Sequence, residues 1–247
     1  MRCTVNTLAI GVLILTLAGP AFSGGDDGRA IVNKAINAGG GEAALARYES
    51  VIMKEKGTYY GMGDGLPYTS VIHLKRSDQS KMEIVGIFTM VINGDKGWTK
   101  SDQGVTDMTK EQLDIEQFNR KAGWIMSLLP LKDKAYTFVL TGNAKLDNVI
   151  ETRTVKVSRK DYPSVVLYFD KKTDHLVGSH FFTRSSEQKG KEVKADFRFS
   201  DFKTVDGVTM PHHVVLKHDN KLYVEADVTE VKAAKLDAKA FAKPARD

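Results

Sequence analysis

Six histidines, His73, His175, His180, His212, His213 and His218, are the residues of this 247-residue chain best suited to metal binding or proton transfer. A helix chelates an ion with ligands three or four residues apart, because that spacing turns both to one side, and neither His-x-x-x-His nor Glu-x-x-His occurs. His212 and His213 are neighbours in a segment of period two, which points them to opposite faces of a strand. Nucleophilic chemistry has no Gly-x-Ser-x-Gly elbow to use, and the single cysteine, Cys3, lies at the start of the chain. The acidic pair Asp26-Asp27 reads as the first turn of a helix, where the backbone dipole favours negative charge. Gly61-Met62-Gly63-Asp64-Gly65 lacks the Gly-Lys-Ser/Thr ending of a phosphate loop, and Gly39-Gly40-Gly41 follows a helical pattern, so both read as turns. The chemistry-bearing residues therefore predict no enzyme activity, no metal and no cofactor. A hydrolase using the His212-His213 region is kept as an alternative.

Charge points away from nucleic acid as well. The excess of 36 basic over 31 acidic residues gives only +5, and Lys54, Lys56, Lys75, Lys194 and Arg198 alternate with apolar residues, the pattern of the solvated side of strands rather than of one basic face.

Stepping along the chain, residues 1–23 have the form of a secretory signal. Arg2 supplies the charge, Leu8 to Ala18 the apolar run, and Ala21-Phe22-Ser23 the small-residue site, with cleavage expected near Ser23. The run is too short to span a bilayer. Residues 24–247 are then expected to form one exported domain, and the whole chain, with 42% hydrophobic and 27% charged residues, has an ordinary globular composition.

Within it, Asp26 to Tyr48 is helical and stops at the three glycines. A second helix starts at Thr109, whose pairing with Gln112 fits a capping box, and runs with Phe118, Ala122, Ile125, Met126 and Leu129 at helical spacing to Pro130. Elsewhere the period is two. Tyr68, Ile72, Leu74 and Arg76 share a face opposite Thr69, His73 and Lys75, while Val193, Ala195, Phe197 and Phe199 oppose Lys194, Asp196 and Arg198. About ten or eleven such strands predict a mainly β fold, a large antiparallel sheet that is curled or partly closed.

One face of that sheet is strongly apolar. Met53, Tyr59, Ile72, Leu74, Met82 and Ile84 belong to it, followed by Phe88, Met90, Phe138, Leu140, Leu167, Phe197 and Phe199. One substantial helix and a short one are available to cover it. The same residues suit an ordinary core or the wall of an apolar cavity, and periodicity leaves both readings open.

Four local patterns, in this order, resemble the LolA-like lipoprotein carriers and the broader outer-membrane lipoprotein-sorting proteins. They are Gly41-Glu42-Ala43-Ala44-Leu45-Ala46 with Tyr48 and Ser50-Val51; Lys75-Arg76-Ser77-Asp78, with Ser77 where the family has proline; Val91-Ile92-Asn93-Gly94-Asp95-Lys96-Gly97-Trp98; and a C-terminal run. That run comprises Tyr168 to Thr173, Asp201-Phe202-Lys203 with Asp206 to Pro211, and Leu236 to Phe241 ending at Pro244.

The resemblance implies an unclosed, curved half-barrel with helices covering its concave face. It implies a periplasmic protein, monomeric, that shields acyl chains of lipoproteins or lipids between an inner-membrane donor and an outer-membrane acceptor. Shielding has a clear physical basis: at about 0.8 kcal/mol per methylene, a chain of roughly 16 carbons favours an apolar cradle by about 10 kcal/mol or more. The lining is expected from the apolar face above together with Trp98, and from Phe118, Trp124, Ile125 and Leu129 on the long helix. Arg76 corresponds to the family arginine that holds the lid closed through backbone carbonyls, and its shared face with Ile72 and Leu74 would point it inward. A LolA-like lipid-sensing or regulatory domain without transport is the nearest alternative.

Overall fold

A computed structural model of the chain describes residues 24–185 and 190–244. The signal segment, Cys3 and the cleavage site at Ser23 lie outside the described residues. The chain opens with α1 (Gly24–Ala38) and the short α2 (Glu42–Ala46), then turns through a 3-10 segment, Arg47–Glu49, into the sheet. Six strands follow: β1 (Ser50–Tyr59), β2 (Leu66–Lys75), β3 (Gln79–Ile84), β4 (Phe88–Asn93), β5 (Lys96–Ser101) and β6 (Gly104–Asp107). After α3 (Lys110–Met126) come β7 (Thr137–Leu146), β8 (Ile150–Ser158), β9 (Val165–Asp170), β10 (Leu176–Ser185), β11 (Lys191–Val205), β12 (Val208–His218) and β13 (Lys221–Ala233).

All thirteen strands form one antiparallel sheet in the order β6-β5-β4-β3-β2-β1-β13-β12-β11-β10-β9-β8-β7. The mainly β, unclosed architecture is the expected one, with more strands than the ten or eleven read from the sequence. The difference lies where alternation is weak: β6 is four residues long, and β7, β11 and β12 run past their apolar stretches. The order amounts to two meanders. One walks from β1 outward to the free edge β6, and the other begins at the opposite free edge β7 and walks back until β13 pairs with β1.

The sheet twists as sheets of L-residues do, and its curl is strong. The Ser77 hydroxyl, in the turn after β2, lies 3.5 Å from the Tyr162 hydroxyl, in the loop before β9, although five strands separate β2 from β9 in the sheet. The helices occupy the inside of this curl. α1 lies on β7 and β8, while α3 spans from β4 to β9 and β10.

Local chemistry fixes both helices. Thr109 and Gln112 make the expected capping box, each side chain bonding the other's backbone N–H. α3 then ends at Met126, because Leu128 turns left-handed (φ 64°) and Pro130 opens a 3-10 turn over Leu129–Lys132. Leu129 is thus beyond the long helix that was expected to carry it; the residue preceding a proline is sterically disfavoured in an α-helix. α1 stops at Gly39 and Gly40, where φ is 108° and an added Cβ would meet the Gly207 carbonyl oxygen at 2.1 Å. Only glycine fits both demands.

The main core sits between α1, α3 and strands β7 to β11. Ile31, Val32, Ala122 and Ile125 pack there against Val155, Val157, Val165, Leu167, Phe169 and Phe181. A second cluster joins Tyr48 to Val51, Val208, Val228 and Val231.

Candidate functional site

Directly paired residues of an antiparallel ladder put their side chains on the same face, so the register shows which residues the inner face collects. Met53 pairs with Ile72, and Ile72 with Met82; Met82 pairs with Met90, and Ile84 with Phe88. Tyr59 joins them on β1 and Leu74 on β2 through the pair with Val51. Tyr59 also pairs with Val224, Val224 with Leu216, and Leu216 with Phe197, which carries the same face to Phe199 on β11. At the far edge Phe138 and Leu140 pair with Val157 and Val155, and Val155 pairs with Leu167. The structure therefore brings onto one inner face all the apolar strand residues expected there except Trp98.

The helices cover that face unevenly. Over β7 to β10 it is sealed: Val155, Val157, Val165, Leu167 and Phe169 have no exposure at all. Phe138 and Ile125, expected to line a cavity, are buried in this core and plug it. Over β1 to β4 the cover is partial: Met53, Ile72, Leu74, Met82, Ile84, Phe88 and Met90 are each partly exposed, while Val51, Ser70 and Ile92 on the same face are buried and Met53 and Leu74 pack against the cluster around Tyr48. A seam of rings marks the boundary. Phe118 on α3 lies 6.5 Å from Phe181, which stacks at 6.1 Å on Phe197, itself 6.0 Å from Phe199. Phe118 is 36% exposed at this seam, and Leu140 packs at the margin of the sealed core.

Two expectations are corrected. Trp98 pairs with Val91, on the outer face, and is buried there against Phe241 of the C-terminal 3-10 turn. The Asn-Gly-Asp turn places Gly97, not Trp98, on the inner face; an added Cβ at Gly97 would meet Met108 and Leu113. Arg76 does not point inward. The strand ends at Lys75, Arg76 enters the turn with φ 52°, and its guanidinium is solvent-exposed and paired with Glu49 at 2.9 Å.

An arginine-to-carbonyl hydrogen bond does occur at this turn, with the donor supplied by α3. Arg120, on α3, donates to the backbone carbonyl of Arg76 at 3.0 Å, while its Nε is buried without a partner. Burial lowers its pKa to about 10 against the opposing influence of Asp78 and Glu116. Further ties pin α3 across the curl: Gln117 donates to the Gly94 carbonyl, Asn119 meets Thr183 at 2.6 Å, and Lys121 donates to the Asp161 carbonyl. The helix is thus hydrogen-bonded to turns and strands of both meanders.

One polar group interrupts the open floor. Glu55 lies between Met53 and Gly57 on β1, opposite Ser70 on β2 and Val228 on β13. Burial pushes its carboxyl pKa up, offset in part by the Ser70 and Tyr68 hydroxyls. Tyr68 donates to it at 3.2 Å, and its own pKa is raised by burial and by the neighbouring carboxylate. Gly57 makes this contact possible: a Cβ there would come within 2.8 Å of the Tyr68 ring. Glu55 had a sequence signal, an acid in step with Val51, Met53 and Tyr59. Arg120 had none, since it falls outside the apolar stripe of its helix.

The histidine pair splits as its spacing dictates. His212 is buried and bonds the Met210 carbonyl, whereas His213 lies on the outer face, 2.8 Å from Asp227 and 3.5 Å from Glu225. It borders a polar cleft of about 300 Å³. A cleft of about 350 Å³ near the β6 edge is lined by Gly97, Trp98, Met108 and Phe241. Among the described residues no three His, Cys, Asp or Glu side chains are grouped to hold a metal, and no helix is long and apolar enough to cross a membrane.

No family model and no curated protein matches the sequence. Solved structures match its fold. A LolA superfamily protein from Nitrosomonas europaea aligns with a TM-score of 0.58 at 14% identity, over 87% of this chain and 97% of that one. A domain described as an outer membrane lipoprotein-sorting protein, from Vibrio parahaemolyticus, gives 0.54 at 14% identity, over 87% and 96%. A DUF1329 family protein from Desulfovibrio piger gives 0.56 at 12%, over 87% and 97%. The chain has the LolA-like fold.

Proposed function

We propose that this protein is a periplasmic carrier that holds the acyl chains of a lipoprotein or lipid against the open floor of β1 to β4 and delivers them toward the outer membrane. The observation that carries the reading is the uneven cover: seven large apolar side chains on one face stay partly exposed where the helices cover β1 to β4 only in part. Isolated apolar residues on a surface are ordinary, but a contiguous concave patch of them marks a binding surface. Holding a chain there needs no catalytic group or cofactor, and release needs only that the bound and empty states differ in how α3 closes. α3 is the lid in this reading, latched by Arg120. An inner-membrane donor and an outer-membrane acceptor are the partners it implies.

The test is mass spectrometry of organic extracts from the protein purified out of its native host, alongside uptake of a palmitoylated lipopeptide by the stripped protein. Co-purifying acyl species and saturable uptake are expected. Extracts free of acyl species together with no uptake would overturn the reading; stable acyl loading without transfer to acceptor vesicles would leave binding and remove transport.

A further inference from the structure

The open floor is apolar except at Glu55, and the surroundings of that carboxyl are incomplete. Its ladder neighbours are Ser70 and Val228, and Met53 and Gly57 flank it along the strand. Lys54 and Lys56 point to the outer face, as alternation requires, and the influences on its ionisation are burial and the Ser70 and Tyr68 hydroxyls. Among the described residues the Tyr68 hydroxyl donates to it at 3.2 Å. Ser70 lies wholly buried opposite, its hydroxyl turned toward the carboxyl and shut off from solvent. A carboxylate accepts at about four positions, and buried charge is ordinarily paired. The missing component is a cation or strong donor arriving from the open side.

We infer that Glu55 makes the floor selective for amphiphiles with a protonated amine head, the ammonium seated against the Glu55 carboxylate and the alkyl chain lying along Met53, Ile72, Met82 and Met90. The inference rests on the carrier reading and deepens it. A head group bearing a carboxylate is rejected by like charge at the same place, and a neutral alcohol falls between.

The probes are dodecylamine, dodecanol and dodecanoate, titrated calorimetrically into stripped protein at neutral pH. The wild type should bind the amine about tenfold more tightly than the alcohol, the factor that one pKa unit of interaction represents, and the carboxylate most weakly. Glu55→Gln, nearly isosteric, should bring the three within about twofold. Tyr68→Phe keeps the carboxyl and removes its donor, so it should retain or strengthen the amine preference, and it decides the matter if the glutamine variant fails to fold. Equal binding of all three probes by the wild type, or loss of the preference in Tyr68→Phe, overturns the inference and leaves the carrier reading standing. Failure of every probe to bind overturns both.

Discussion

The two meanders present the same kind of face to the inside of the curl and treat it differently. In the C-terminal one, α1 and α3 lie over β7 to β10, and Leu167 and Phe169 are wholly buried. In the N-terminal one, Met82, Ile84, Phe88 and Met90 repeat the apolar alternation yet remain partly exposed. The side chains are comparable in size, so the contrast comes from where the helices were placed. One half serves as a foundation and the other is left as a surface.

Truncations should break or sharpen that contrast most visibly. Phe169→Ala, in the sealed half, is expected to destabilise the fold by about 3–5 kcal/mol through the cavity it leaves, measured by urea unfolding. Met82→Ala, on the open floor, should cost about 1 kcal/mol while weakening acyl binding roughly tenfold through lost apolar contact. Similar stability losses at the two sites would erase the distinction. Next in size is the latch between the halves. Arg120→Ala removes the bond to the Arg76 carbonyl and should cost about 1–2 kcal/mol, with faster hydrogen exchange in α3 and faster release of bound chains.

Smaller again is the pH response of Glu55. Its folded pKa is raised above the ordinary 4.5 by burial, so the native state disfavours ionisation. The wild type should therefore lose stability as pH rises through the ordinary glutamate value toward the raised one. Glu55→Gln should be the more stable protein at pH 7, and the gap should close below about pH 4; a gap unchanged with pH would contradict the burial argument. The least effect is expected at Arg76. Its exposed pair with Glu49 is screened by solvent, and Arg76→Ala should change stability by no more than about 0.5 kcal/mol and leave acyl binding unaltered.

Period two was enough to read the inner face. Met53, Ile72, Met82 and Met90 fall in line because alternation and antiparallel pairing are local rules. The capping box at Thr109 was legible for the same reason. What escaped was set by distance in the sequence. Arg76 looked inward because alternation was extended one residue past the strand, into a left-handed turn. Trp98 looked like lining because nothing near it announces Phe241, the partner that buries it on the outer face. Sequence patterns mark which residues are apolar, but whether Ile125 fills a core or walls a cavity depends on where α3 lies, and its ties at Gly94, Asp161 and Thr183 leave no mark in the local pattern.

The pairing of β1 with β13 joins the first strand synthesised to the last, as in Val51 with Ala233. Until the final residues emerge, a nascent chain carries a ten-residue strand whose row of amides and carbonyls on that side has no mate, the kind of ragged margin that invites adhesion between molecules. Contacts this remote in sequence also form slowly. Zipping this one central seam is accordingly the step that must wait for the chain's end, and a chain shortened before Glu225 would be left with a sticky border.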